Sequence, residues 1–268
     1  MSVDKLVDST QLDSNLTSVA NAIRAKSGGS SQLAFPAGFV SEIGNIPSGG
    51  GYTNDDFGDP ANPVGAVTIS ATSDAGLKNI LYGKTGITEV SMPNLIGLTD
   101  YMFSYCLLES FSAPEATYCG AGTFSNASKL EYAVMPKLKY AYSYVFQNCT
   151  SLLAADFGGT PTSAQGLFRA QIFAGDTKFG ALVLRADTVW PLANINVFQN
   201  TKFASGKAGG ILYVPANQIA SYQAATNWST ILGYTNNQIK SIESTATDPD
   251  APVNLTTHYI DGTPIPTT

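Results

Sequence analysis

Three consecutive stretches of this chain align with one another and decide the fold: ITEVSMPNLIGLTDYMFSYC (residues 87–106), LESFSAPEATYCGAGTFSNA (108–127) and LEYAVMPKLKYAYSYVFQNC (130–149). Each stretch has one proline and, ten residues later, one phenylalanine, at Pro93, Pro114 and Pro136 and at Phe103, Phe124 and Phe146. A fourth copy begins at Leu152 but soon loses the pattern. The period is thus roughly 22 residues, a length that indicates a stack of repeated units.

A single unit is too short to bury its own apolar face, so neighbouring units must stack at about 4.8 Å to form the core. The period lies within the range of leucine-rich-repeat-type solenoids. We therefore predict an α+β, β-rich fold, in which a leucine-rich-repeat-type solenoid of few rungs follows a short N-terminal helical hairpin. Three columns are expected to point inward: the Leu or Ile before each proline, the Phe after it, and the Cys or Ala three residues further on. The phenylalanines should form a continuous buried ladder.

The repeat also predicts the state of the cysteines. Cys106 and Cys149 share a column two rungs apart, which separates their Cα atoms by about 9–10 Å. A disulfide requires less than about 7 Å, so both are expected to be small buried hydrophobic residues. With Cys119 the count is odd, which is typical of reduced thiols in a protein made in a cytoplasm.

The pattern LExxxxP followed by FQNCTSL at residues 146–152 resembles the BspA-like leucine-rich repeats of bacterial surface proteins. GGILYVPANQIASYQAATNWSTI (residues 209–231) resembles the closing unit that follows such repeats, with a strand from Ile211 to Val214 and a helix from about Ala216 to Trp228. A final strand is expected at residues 239–243. The resemblance covers roughly residues 76–243, although residues 158–205 keep the period poorly; there, Phe168 falls one period after Phe146, and Leu182 and Leu184 indicate another strand.

The N-terminal residues 1–47 have a helical pattern instead. A helix is predicted for residues 9–26, with one apolar stripe, and a second short helix begins at Pro36. The stripe also fits a coiled-coil seam, so we predict an oligomerisation site at Leu12, Leu16, Val19 and Ile23; the alternative is a hairpin packed on its own chain. A Gly-, Asp- and Pro-rich flexible linker is predicted for residues 48–65, the repeat domain for 66–243, and an extended or disordered tail for 244–268.

The string LVDSTQLDSNLTSVANAIRAKSGGSSQLAFPAGFVSEIGNIP (residues 6–47) resembles a segment at the N-termini of phage tail-associated proteins. This resemblance implies a virion structural protein, such as a tail fibre or tip, whose N-terminal module contacts other virion proteins. It also implies a homotrimer as the oligomeric state. Two alternatives remain: a head or tail decoration protein without host binding, and a bacterial surface adhesin.

Composition excludes several classes of function. The net charge is -6 and only 13% of the residues are charged, about half the usual share. Such a chain lacks the basic stripe that nucleic acids and anionic membranes require. It also lacks a long apolar stretch for membrane insertion and a secretory signal sequence at its first residues, so the expected location is the virion, after synthesis in a host cytoplasm.

Tyrosines provide the candidate binding surface. Tyr140, Tyr142 and Tyr144 alternate, so an extended strand would place them on one face. Further tyrosines lie in the same part of the neighbouring repeats, at Tyr101, Tyr105 and Tyr118. These side chains would form an aromatic platform for a host surface protein or a neutral glycan. The alternative is a partly buried structural ladder without a ligand.

Catalytic motifs are absent from the sequence. We find no nucleophile elbow, phosphate-binding loop or His/Cys metal spacing, and we predict no enzyme activity, no cofactor and no metal site. Glu109 and Glu131 share a repeat column and could in principle act as a glycosidase pair. A repeated surface position explains their alignment equally well.

Overall fold

The computed structural model describes residues 16–21, 24, 57, 63–72, 74, 77, 81–162, 168–203, 209–232 and 238–267. The chain divides into two compact units, residues 1–52 and 53–268. In the first unit, residues 16–21 and 24 are helical, with Leu16 partly buried and Val19 exposed. Leu12 and Ile23, and the helix predicted from Pro36, lie outside the described residues.

The described part of the second unit contains two parallel β-sheets. The strand bounds are β1 (Gly65–Thr68), β2 (Ile87–Ser91), β3 (Gly97–Leu98), β4 (Ser110–Ser112), β5 (Tyr118–Cys119), β6 (Tyr132–Met135), β7 (Tyr140–Ala141), β8 (Ala154–Phe157), β9 (Ala181–Leu184), β10 (Ile211–Val214) and β11 (Ile239–Ser241). The larger sheet has the strand order β1-β2-β4-β6-β8-β9-β10-β11, and the smaller sheet has the order β3-β5-β7.

The second unit begins before the predicted boundary at residue 66. Phe57, inside the predicted flexible linker, is fully buried.

The sequence period corresponds to one step between paired strands. Glu89 pairs with Ser110 in the larger sheet, and Tyr118 pairs with Tyr140 in the smaller sheet, so the partners of each pair lie one repeat apart. The larger sheet collects the strand that precedes each proline, and the smaller sheet collects the short strand that follows it. This parallel arrangement is consistent with a leucine-rich-repeat-type fold.

Buried phenylalanines stack along the repeats, as predicted. The ring centroids of Phe103 and Phe124 are 5.4 Å apart, and those of Phe124 and Phe146 are 5.3 Å apart. The column continues at Phe173 and Phe198, each 5.5 Å from the ring before it. The period counted from Phe146 placed Phe168 in this column, but that was wrong: Phe168 stacks on Trp190 at 4.7 Å. Extra residues between β8 and Phe173 shift the register, and the ladder is restored five residues later.

The column of Cys and Ala residues, three positions after each ladder phenylalanine, is held in place by backbone hydrogen bonds to those phenylalanines. Cys106 N–H donates to the carbonyl of Phe103, and Cys149 N–H donates to that of Phe146. All three cysteines are free and buried, as predicted for Cys106 and Cys149, and burial raises the pKa of the Cys106 thiol to about 12. The same bond is made by Asp176 to Phe173 and by Thr201 to Phe198. A carboxyl group therefore occupies a core position that holds cysteine or alanine in the earlier repeats.

Asp176 should make the protein less stable as the pH rises. Its side chain is fully buried, and neither carboxyl oxygen makes a well-formed hydrogen bond to a described residue. Burial, opposed only in part by the Cys149 N–H, raises its pKa to about 10. Its carboxyl is thus neutral in the folded protein but ionises in the unfolded chain above a pH of about 4. The stability it contributes is complete below that pH and is lost as the pH rises toward 10.

We therefore expect Asp176→Asn to gain stability over the wild type between pH 4 and pH 8, by up to about 1.4 kcal/mol per pH unit. Chemical denaturation at pH 4, 6 and 8 measures this difference. Asp187→Asn, at an exposed position, is the matched control and should follow the wild type. A constant difference between Asp176→Asn and the wild type across this pH range would contradict the assignment.

The closing unit differs from the prediction in its helix. Strand β10 has the predicted bounds, but the helix expected from Ala216 to Trp228 is divided into a 3-10 turn (Ala216–Gln218), α1 (Ile219–Ala224) and α2 (Trp228–Leu232). The break lies at Asn227, whose φ is 67°. It allows both helices to bind Trp190: the Tyr222 hydroxyl accepts a bond from its N–H, and Trp228 Nε1 donates to its carbonyl.

The tail predicted to be extended or disordered instead packs on the outer face of the larger sheet. Leu255 and Ile260 are buried there in one apolar cluster with Val183 and Tyr213. The side chains that point outward from β6, β8, β9 and β10 are mostly apolar, and this surface requires a cover. The sequence of the tail contains few apolar residues, so its composition concealed this role.

A buried ion pair fastens the tail to the sheet. Asp156 on β8 is fully buried, and Arg185 donates to both of its carboxylate oxygens at 2.7 and 2.6 Å. Arg185 also donates to the carbonyls of Leu255 and His258, and the Ile260 N–H donates to Asp156. Each charge is thus satisfied by its partner and by the backbone of the tail.

Removing one member of this pair should release the tail. We expect Arg185→Met to lower the free energy of unfolding by about 3–5 kcal/mol, because Asp156 would remain buried without its partner. The double variant Asp156→Val, Arg185→Met should lose less, since it leaves no unpaired charge. Denaturant unfolding measures both, and limited proteolysis reports whether residues 244–267 detach; an equal loss for both variants would contradict the ion-pair explanation.

Candidate functional site

Tyr118, Tyr140 and Tyr142, here called the tyrosine row, follow one another across the smaller sheet. The rings of Tyr118 on β5 and Tyr140 on β7 are nearly parallel, with centroids 5.5 Å apart. On its other side the Tyr118 ring covers Gly97, where a Cβ atom would collide with the ring. Tyr142 meets Tyr140 edge to face at 5.8 Å. The prediction that Tyr118 lies next to Tyr140 is therefore confirmed, whereas the binding role of these tyrosines stays a prediction.

The row presents ring edges rather than a flat platform. One face of Tyr118 is covered by Tyr140, and the guanidinium of Arg169 lies over the Tyr142 ring at 4.9 Å from its centroid. The three phenolic hydroxyls make no hydrogen bond to any described residue, and all three side chains are partly exposed. Burial raises the pKa of Tyr118 and of Tyr140, so these phenols remain proton donors at neutral pH.

Tyr101, Tyr105 and Tyr144, here called the corner tyrosines, lie in the turns on either side of the phenylalanine ladder. The strand that contains Tyr140 ends at Ala141, and Tyr144 has a φ of 65°. The predicted common face for Tyr140, Tyr142 and Tyr144 is therefore wrong, because strand alternation does not extend to Tyr144. The φ angles of Tyr101 and Tyr105 are 58° and 61°.

The repeat shows why these three angles matter. In the other repeats the same two columns are filled mainly by residues that adopt positive φ at low cost, namely Gly122, Asn126, Asn148, Gly175 and Asn200. A tyrosine in this conformation costs roughly 1 kcal/mol or more. The corner tyrosines are nevertheless exposed, by 43%, 55% and 37% for Tyr101, Tyr105 and Tyr144. Core packing therefore does not account for their presence, although the Tyr101 ring packs on Gly122.

Sequence reasoning missed two members of these surfaces. Tyr82 is half exposed and meets Tyr105 edge to face at 5.8 Å. The sequence did contain a signal for Tyr82, because the neighbouring Gly83 lies one repeat before Tyr105. In the structure Gly83 has a positive φ and forms an additional corner. Arg169 gave no signal, because its column is displaced by the extra residues before Phe173.

Replacing a corner tyrosine by a residue type that adopts positive φ more readily should stabilise the fold. We expect Tyr144→Asn to raise the free energy of unfolding by about 1 kcal/mol, since asparagine adopts positive φ more readily. Tyr144→Phe keeps the strain and is the matched control, with no gain expected. Denaturant unfolding of the three proteins measures the difference; a destabilised Tyr144→Asn would show that the ring has a structural role.

Glu109 and Glu131 line an open groove on the larger sheet. The groove has a volume of about 280 Å³, and Ser110, Phe111, Tyr132 and, from the tail, Asp261 complete its wall. Among the described residues no group of three or more His, Cys, Asp or Glu side chains is placed to hold a metal ion. The hydroxyls of the tyrosine row make no hydrogen bond to any described residue, and the corner tyrosines are exposed.

Comparison with known proteins agrees with this architecture. Residues 76–171 match the BspA type leucine rich repeat region, in six copies, and these residues include β2 to β8. Repeats of this type indicate a protein-interaction or adhesion domain. No curated protein matches the chain. Within the described part of the chain, no helix has the length and apolar character needed to cross a membrane.

Proposed function

We propose that this chain is a non-enzymatic structural protein of a phage virion, such as a tail fibre or tip protein. Its leucine-rich-repeat solenoid displays the corner tyrosines and the tyrosine row for adhesion to a host surface protein or glycan. The observation that carries the proposal is the strain at Tyr101, Tyr105 and Tyr144. These residues are exposed, aromatic and held at positive φ in columns that Gly, Asn and Gln171 occupy in the other repeats, which indicates selection for contact and not for folding.

The N-terminal sequence supports the virion part of the proposal. Residues 6–47 resemble the segment found in phage tail-associated proteins, and Leu12, Leu16, Val19 and Ile23 would form the seam of a homotrimer. This module would contact other virion proteins and leave the second unit available for binding.

The adhesion proposal is tested with the full chain in a cell-binding assay. We expect the triple variant Tyr101→Asn, Tyr105→Asn, Tyr144→Asn to lose binding to candidate host cells at least tenfold without losing stability. The substitutions are expected to relieve backbone strain, and thermal unfolding of the triple variant checks that the loss of binding does not come from a folding defect. Leu153→Asn and Ile195→Asn, at exposed apolar positions of other columns, form the matched control pair and should bind normally.

Equal binding by the triple variant and the wild type would overturn the role of the corner tyrosines. Labelled antibodies against this chain, applied to intact phage particles, test the virion part separately. Label at the tail tip is the expected result. Label on the head or along the tail, without cell binding by the purified chain, would favour a decoration protein, and no label would favour a bacterial surface adhesin.

A further inference from the structure

A cation without an ion-pair partner among the described residues lies at one end of the tyrosine row. Arg169 occupies the same repeat column as Tyr142, one repeat later, and its guanidinium contacts the Tyr142 ring face. Arg169 makes no ion pair or hydrogen bond with any residue that the structure describes. It is partly exposed, so its five N–H donors are available to a ligand.

The charged residues around the tyrosine row make the two ends of the row electrostatically different. Lys139, next to Tyr140 in the chain, is exposed and has no ion-pair partner among the described residues. Lys137 and Glu115 form an ion pair at 2.7 Å, so their charges compensate each other. The carboxylate of Asp74 acts on Tyr118, at the end of the row away from Arg169. Positive charge is thus concentrated at the Tyr140–Arg169 end.

We propose that the tyrosine row and Arg169 bind a sugar that carries a carboxylate, of the uronic or sialic acid type. The guanidinium would receive the carboxylate through two parallel N–H···O bonds, the geometry in which arginine differs from lysine. The hydroxyls of Tyr118, Tyr140 and Tyr142 would exchange hydrogen bonds with the hydroxyls of the sugar chain. This inference rests on the proposed adhesive function and names its ligand class, and it replaces the neutral glycan expected from composition.

The geometry of the row favours an acidic sugar over an acidic peptide. Its three hydroxyls belong to rings whose centroids are 5.5 and 5.8 Å apart, and each can both donate and accept. A sugar chain offers hydroxyls on every unit, whereas an acidic peptide offers mainly acceptors. The ring faces are largely covered by one another and by Arg169, so recognition relies on hydrogen bonds at the ring edges and not on stacking.

Calorimetric titration of the full chain with defined oligosaccharides tests the inference. The probes are tetragalacturonate, its neutral methyl ester, 3′-sialyllactose, lactose and tetraglutamate. The wild type should bind tetragalacturonate or 3′-sialyllactose at least tenfold more tightly than the matching neutral sugar, because hydrogen bonds to a charged group are stronger. Which acid binds more tightly distinguishes the uronic from the sialic type, and tightest binding of tetraglutamate would overturn the inference in favour of an acidic peptide.

Variants distinguish the contribution of the Arg169 charge to binding from that of the tyrosine hydroxyls. Arg169→Gln should remove the preference for the acidic sugar, and Arg169→Lys should restore only part of it. Tyr140→Phe with Tyr142→Phe should weaken acidic and neutral sugars alike, by about twofold to tenfold for each lost bond. Lys129→Gln, an exposed cation between the second and third repeats, is the matched control, and thermal unfolding verifies that every variant is folded.

Equal affinity for tetragalacturonate and its methyl ester, together with equal affinity for 3′-sialyllactose and lactose, would overturn the inference. So would an Arg169→Gln variant that keeps the preference. The cell-binding assay separates this failure from that of the proposed function. Host binding that survives Arg169→Gln leaves adhesion intact and places it at another surface, whereas a wild type that binds acidic sugar but no host cell overturns the adhesive function alone.

Discussion

The stacking of one phenylalanine per repeat is the constraint on which this structure depends. Rings spaced 5.3–5.5 Å apart from Phe103 to Phe198 are only slightly further apart than hydrogen-bonded strands, at about 4.8 Å. Sheet pairing and core packing therefore require the same register. Where extra residues interrupt the period, as before Phe173, the chain loops out and returns to the ladder. The cost of a broken stack in the core exceeds that of a longer loop, since loop entropy grows only slowly with length.

The ladder also determines where surface groups appear. Each phenylalanine is flanked two residues away by turn positions, most of which adopt positive φ, and these turns form a corner that repeats with the core. Glycine and asparagine satisfy most of them at low cost. Three tyrosines and Gln171 occupy the remainder despite the strain. A regular core thus provides fixed positions on which irregular side chains can be exchanged, which is how repeat proteins obtain binding surfaces without altering their fold.

The two buried aspartates of this structure, Asp156 and Asp176, are accommodated in two different ways. Asp156 is buried with Arg185 and with backbone donors and acceptors of the tail, so its charge is compensated and holds two segments together. Asp176 is buried in the cysteine column without a partner among the described residues, so burial keeps it neutral. The low charge content of the chain is consistent with both cases, because like charges in one column would repel at every repeat. Some of the few charged residues form ion pairs, such as Asp156 with Arg185, whereas Arg169 has no ion-pair partner among the described residues.

The sequence by itself determined the period, the three buried columns, the free cysteines and the strands at residues 181–184 and 211–214, because these depend on local spacing and on which side chains avoid water. It also identified the tyrosines. Only the tertiary structure decided that Phe173 replaces Phe168 in the ladder, that the polar tail covers the sheet, and that Arg169 meets Tyr142. These depend on contacts between residues far apart in the chain, such as Ile260 with Asp156. Loop length and backbone hydrogen bonds bring such residues together, and neither is visible in local composition.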